Sequence, residues 1–188
     1  LLVATVPALP ARLVSMIPVA LVLNIVVGQI IGSVGIPLYL DSTGTVLVAA
    51  LAGPWAGIAT GVLSSLVWSA FNPSVLPFAA TSAAVGGLAG VAIKHGALKN
   101  IATVLLSGVV IGIVVGMLAA PVAAFVYGGT AGVGTGAVVS LLREMGHSLL
   151  QSVTLQSFIS DPLDKALVML LVWLVLKSLP KRTLAAFR

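Results

Sequence analysis

The chain of 188 residues contains no cysteine. Disulfides, thiolate metal centres and thiol redox chemistry are therefore excluded, and the compartment is left open. Charge is nearly as scarce: four acidic and nine basic residues make up 7% of the sequence, against about 25% in a soluble domain. Aromatic residues reach only 5%. With so few rings and no basic face, a nucleic-acid surface is excluded despite the formal net charge of +5. The two histidines, His95 and His147, stand in different segments without an H-E-x-x-H pattern, so no metal site is expected. No G-x-x-x-x-G-K-[ST] run is present to cradle a nucleotide, and no serine sits in a G-x-S-x-G elbow. Without a nucleophile–base pair the chain is not expected to be an enzyme or to carry a cofactor.

What is abundant is apolar: 60% of the residues are hydrophobic and the mean hydropathy is +1.23. This composition is that of an integral membrane protein. A spanning chain must satisfy its own backbone, as helices or as a closed barrel. The apolar runs are continuous and mostly near 20 residues, without the alternation of barrel strands, so an all-α bundle is expected.

Six spans are predicted, over about 12–33, 42–53, 55–71, 75–93, 101–124 and 162–179. The stretch 127–160 is glycine-rich and then mildly amphipathic, and reads as a lid-like surface pair. The second span is short, about 16 Å long against a hydrocarbon core of about 30 Å, and is expected to turn at Gly53-Pro54. Charge parity supports the count. Six spans put Arg12, Lys94, Lys99, Lys177, Lys181, Arg182 and Arg188 on one side and Asp41, Glu144, Asp161 and Asp164 on the other. By the positive-inside rule both termini are then cytoplasmic. The chain opens at Leu1 without Met, as a shortened chain would, and no cleavable signal peptide is visible.

Small residues recur at spacing four: Ala49, Gly53, Gly57, Gly61, Ser65 and Ser69 form one row, Gly108, Gly112, Gly116 and Ala120 another. In lipid such rows let helix backbones approach closely. They serve packing inside the bundle, or a face presented to another membrane subunit. The polar groups at helix ends are the other notable feature. Asp41-Ser42-Thr43 is expected to cap the second span, and Asn72-Pro73 to make a turn. In Asp161-Pro162-Leu163-Asp164-Lys165, Asp161 suits an N-cap, Pro162 the first helical position, and Lys165 a partner four residues on from Asp161. Tyr127 follows the fifth span beside Gly128 and Gly129. Gln151 lies among apolar residues, where an amide can meet a ligand or water.

Several of these pieces together resemble a known family. They are Leu38-Tyr39-Leu40-Asp41-Ser42-Thr43-Gly44-Thr45, Leu51-Ala52-Gly53-Pro54-Trp55-Ala56-Gly57 with Gly61, Phe71-Asn72-Pro73, and Gly86-Gly87-Leu88-Ala89-Gly90 before Lys94-His95-Gly96. Asp161-Pro162-Leu163-Asp164-Lys165 and Leu179-Pro180-Lys181-Arg182 complete the set. In order and spacing, over about residues 16–182, this resembles the substrate-binding S components of energy-coupling factor (ECF) transporters, the riboflavin-transporter-like branch in particular. The resemblance implies a six-helix, multi-pass protein of a bacterial cell membrane that captures a small vitamin-like substrate at the outer face. A transmembrane T component and two ATPase subunits would drive uptake. It further implies a pocket drawing on residues 39–43, the outer start of the fourth span, Tyr127 and the start of the last span; with the polar residues noted above, the candidate binding set is Tyr39, Asp41, Thr43, Asn72, Tyr127, Gln151, Asp161 and Lys165. Family members often dock the T component through an A-x-x-x-A pair on the first helix. Here that row is Ala20, Asn24, Gly28 and Gly32, so docking is expected through Ala20, Asn24 and Gly28 with Gly53, Gly57 and Gly61. Few rings and no arginine within a span speak against a flavin, and the expected cargo is uncharged or zwitterionic. An autonomous small-solute channel or facilitator, and a structural adaptor without a ligand, are the alternatives.

Overall fold

A computed structural model describes residues 11–129 and 133–180, with the side chains of 11–14 and 133 outside that description. Thr130, Gly132, Lys181, Arg182, Arg188 and the Arg12 side chain therefore lie outside the described residues. Among the described residues seven α-helices follow in order: α1 (Ala11–Val34), α2 (Thr43–Ala52), α3 (Pro54–Ser69), α4 (Ala79–Lys94), α5 (Ile101–Tyr127), α6 (Val133–Glu144) and α7 (Leu149–Ser178). A 3-10 turn, Pro73–Phe78, leads into α4. No strand occurs among the described residues.

Among the described residues three segments, Ser15–Val34, Pro73–Lys94 and Ile101–Tyr127, are long and apolar enough to cross a membrane. The radial distribution is that of a membrane-embedded protein. Large apolar side chains such as Val19, Val22, Ile30, Leu106 and Met117 point outward, while small and polar residues such as Asn24, Thr60, Ser64 and Ser152 are buried. Lipid accepts the former as readily as a core would, so the interior is left to close backbone packing and hydrogen bonds.

The predicted break between the second and third spans is present. Gly53 adopts φ 87, a left-handed value that favours glycine, and Pro54 opens α3 at a position whose missing N–H costs nothing. The start of α2 differs from expectation. Asp41 does not cap it, and Ser42 makes no side-chain cap bond. The cap comes from another helix: Asn24 Oδ1 on α1 accepts the Gly44 N–H (2.7 Å) and the Thr45 N–H (3.3 Å). The same side chain donates through Nδ2 to Thr45 Oγ1 (2.8 Å) and Ser64 Oγ (2.9 Å), tying α1, α2 and α3 together. Replacing Asn24 with Ala is expected to destabilise by roughly 1–3 kcal/mol, because the α2 amides lose their only cap where water cannot replace it. Denaturant unfolding in detergent measures this, and a loss below about 0.5 kcal/mol would contradict the role.

The glycine rows pack this chain's own helices. A Cβ on Gly57 would meet Gly86, one on Gly61 would meet Ser82, and one on Gly90 would meet Pro54, which joins α3 to α4 at backbone distance. Gly108 lies against Ala166, Gly112 against Asp161 and Pro162, and Gly116 against the Asp161 side chain, joining α5 to α7. Ala20 packs on Gly44, and Gly28 on Trp68 and Asp41. Of the six residues expected to dock a partner, Ala20, Asn24, Gly57 and Gly61 are buried, and Gly28 is half-buried against Trp68. Their faces are already occupied within the chain, because small residues admit a neighbouring helix of the same chain as readily as one from another subunit. Gly53 borders a groove with Pro54, Trp55 and Lys94, and Gly28 also lines a cavity of this chain.

The C-terminal third departs most from the sequence reading. Helix α7 begins at Leu149, capped reciprocally by Ser148 and Gln151, and runs 30 residues through Pro162. Residues 149–160, expected in a lid, are its first three turns. Asp161 is therefore not an N-cap and Pro162 is not a first helical residue. Proline in a helix interior forfeits one backbone bond. Here the α5 glycines seat that stretch of α7 closely enough to hold it helical. The main core joins α2, α4, α5 and α7 through Val46, Val85, Val104, Val115, Val168 and Met169.

Candidate functional site

At one end of the bundle α1, the α1–α2 connection, Trp68 on α3, the 70–78 segment, α4, α5, α6 and α7 line a partly open cavity of about 390 Å³. The volume lies in the range of small-molecule sites. Its walls are partly apolar (Ile36, Leu38, Val75, Phe78, Val85, Val115), and its polar groups come from several elements: Gln29, Tyr39, Asp41, Asn72, Thr135, Asp161 and Lys165.

Because α7 continues upstream of Pro162, its three ionisable residues sit inside the bundle. Asp161, Asp164 and Lys165 are all at least 96% buried. Charges so placed must be paired or hydrogen-bonded. Asp164 is fully engaged: one oxygen accepts the Tyr39 N–H (2.8 Å) and the Leu40 N–H (2.7 Å), and the other is ion-paired with Lys165. Two successive amides converge on one oxygen because Leu40 takes φ 49, the one positive φ outside glycine among the described residues. This costs about 1 kcal/mol of backbone strain and makes a small anion-binding nest. Asp164 thus fastens the 35–42 connection to α7. Lys165 Nζ also donates to Ser42 Oγ (3.0 Å) and stands 3.9 Å from Asp41 Oδ1.

Asp41 keeps 37% of its side-chain surface open, onto the cavity it lines. Withdrawal from water pushes its carboxyl above the ordinary carboxylate range, a rise the Lys165 ammonium opposes and Asp164 reinforces. Tyr39, hydrogen-bonded to Thr135, is likewise pushed up, first by burial and then by the charge of Asp161. Asp161 takes a hydrogen bond from Ser157 and lies beyond ion-pair distance of Lys165. In place of the expected i, i+4 pair, Lys165 bonds to Asp164 beside it on α7 and reaches across to Ser42 on the α1–α2 connection. The aromatic wall is Trp68, whose ring lies beside Gly28 and whose buried Nε1 has no partner.

Of the eight residues expected to bind substrate, Tyr39, Asp41, Asn72, Asp161 and Lys165 line the cavity. Tyr127 stands behind that wall: it stacks on Phe78 (centroids 5.7 Å apart) and donates to the Ser74 carbonyl at 2.7 Å. Thr43 is buried, bonded to the Leu40 carbonyl, and only shapes the connection. Gln151 is away from the cavity and serves as the capping partner of Ser148, since an amide three residues after a serine closes a capping box before it can reach a ligand. Asn72 has a double role, because its side chain also caps the 3-10 turn through Ser74.

Sequence reasoning missed Trp68, Gln29, Ser42, Thr135 and Asp164 in this site. For Asp164 a signal was present. Three ionisable residues within five positions of an apolar run mark a functional site by default once the run is read as one helix. A start placed at Pro162 moved them out to a helix end.

The fold and cavity define a class: a helical, membrane-embedded protein with a small-molecule-sized chamber lined by ionisable side chains. Comparison with known protein families, with curated proteins and with solved structures finds no match to this chain.

Proposed function

We propose that the protein is the substrate-capture subunit of an ECF-type importer, taking up a small vitamin-like micronutrient from the outer side of a bacterial cell membrane. The observation that carries this reading is the cavity, closed on one side by a connection that a single carboxylate, Asp164, fastens to α7. A chamber of this size with convergent polar groups fits a captured solute better than a conducting pore. The six crossings are α1, α2, α3, α4 with its 3-10 turn, α5 and α7, with both termini cytoplasmic and α6 covering the cavity. The chain carries no nucleotide-binding loop, which suits a subunit energised by others: a T component and two ATPases. Substrate entry would require the 35–42 connection or α6 to yield, and closure over the solute would precede engagement of the T component.

Mass spectrometry of the compounds released when the detergent-purified protein is denatured tests the reading. A stoichiometric small molecule is expected, with uptake into proteoliposomes only when the T component, ATPases and ATP are supplied. Flux of that compound with no partner and no ATP would instead establish a facilitator and overturn the proposal.

A further inference from the structure

The charge balance of the cavity narrows the class of its occupant, and this deepening rests on the capture reading above. Four ionisable side chains meet at the α7 wall: Asp41, Asp161 and Asp164 against Lys165 alone. The single cation is already committed. Its ammonium donates to Asp164 and to Ser42, with Asp41 at 3.9 Å. A substrate carboxylate or phosphate would have to break these bonds to reach it. Asp164 is saturated by two backbone amides and Lys165. Asp41 and Asp161 differ from it: both line the cavity, neither receives a backbone amide from another element, and the lining holds no second basic residue.

The aromatic wall stands beside one of these carboxylates. A Cβ built on Gly28 would fall 2.9 Å from Asp41 Cβ and 3.0 Å from Trp68 Cζ3, so carboxylate and indole flank the same point on α1. A carboxylate next to an indole, out of bulk water, attracts a cation by charge and by the ring quadrupole together. The chamber is far larger than one bare ion, and no group of three or more His, Cys, Asp or Glu residues that could hold a metal occurs among the described residues.

We infer that the cavity takes a small organic cation, a substituted ammonium or a protonated nitrogen heterocycle, held between Asp41, Asp161 and the Trp68 ring. A zwitterionic or anionic cargo would need a free cation that this lining does not offer, and an uncharged one would leave Asp41 and Asp161 without a counter-charge. Cation entry brings the charge that two carboxylates in low dielectric lack.

The test uses the intact, detergent-solubilised chain and three probes of similar size: benzyltrimethylammonium, benzyl alcohol and benzoate, at constant sodium chloride. Thermal unfolding and tryptophan emission are read. Benzyltrimethylammonium is expected to raise the melting temperature and change the emission, with the emission change lost in Trp68→Phe. Asp41→Asn and Asp161→Asn should each weaken its apparent affinity about tenfold or more, the worth of a charged contact. Glu144→Gln, which removes an exposed carboxylate, should leave it unchanged. Unfolding without probe checks that the two asparagine variants are folded, and either one suffices. Equal or stronger binding of benzyl alcohol or benzoate, no response to the cation, or a cation response untouched by both asparagine variants overturns the inference. Release of a neutral or anionic compound from the denatured protein would overturn it too, while leaving the capture reading intact.

Discussion

Asp164→Ala is expected to destabilise the protein by about 3–5 kcal/mol, the usual cost of removing one partner from a buried ion pair. Three losses coincide. The Lys165 ammonium, 4% exposed, is left with Ser42 and the more distant Asp41. The Tyr39 and Leu40 amides lose the oxygen on which they converge. Leu40 is then held at a positive φ with nothing to offset the strain. The consequence reaches beyond stability, because the freed connection carries Tyr39 and Asp41, two walls of the cavity. Denaturant titration in detergent gives the first effect, and faster hydrogen exchange at residues 38–42 gives the second. Asp164→Asn keeps the shape and one acceptor but not the charge, and should fall between wild type and alanine. If alanine costs less than about 1 kcal/mol, the clamp does not exist as described.

The second large effect is expected from Gly112→Val. A Cβ at Gly112 would lie 2.6 Å from the Asp161 carbonyl carbon and closer still to its oxygen and to Pro162 Cα, all of them backbone or ring-anchored atoms. None of these can rotate away, so α5 and α7 must separate. Overpacking of this kind costs about 3 kcal/mol or more when the obstacle is backbone. The control is Met117→Leu on the same helix, whose side chain is 60% exposed. It should change stability by less than about 0.5 kcal/mol. Because Asp161 sits at the contact, the valine variant should also lose ligand binding, whereas a mere surface role for Gly112 would leave both unmoved.

The difference between these two positions shows what kind of information each carries in the sequence. Gly112 was legible: a glycine every four residues in a 27-residue apolar run can only be there to admit something close. What it admits was not, since a small residue is equally compatible with a helix of the same chain and with one from a partner. Asn24 illustrates the opposite case. An amide in an apolar helix signals a buried bond, yet its service as the cap of α2, across 20 residues, depends on how α1 and α2 come to lie side by side. Gln151 misled for a local reason, a capping box with Ser148 that the sequence does contain.

Composition and the length of the apolar runs were enough to set the solvent and the architecture class. Scarce charge, a mean hydropathy of +1.23 and long apolar runs demand lipid and helices, because backbone groups in hydrocarbon must bond within their own segment. Local sequence also set the break at Gly53-Pro54, where one residue needs a left-handed φ and the next cannot donate. Tertiary structure alone decided that α7 runs unbroken through Pro162, because the α5 glycines pack it there. From that follows the rest of the site. Asp161, Asp164 and Lys165 lie in the interior rather than at a solvated helix end, and Asp164 and Lys165 find partners on a connection 120 residues and more away in sequence. A charge in low dielectric is satisfied by whatever the fold brings within about 3 Å, and that distance is a property of the packed chain, not of residue spacing.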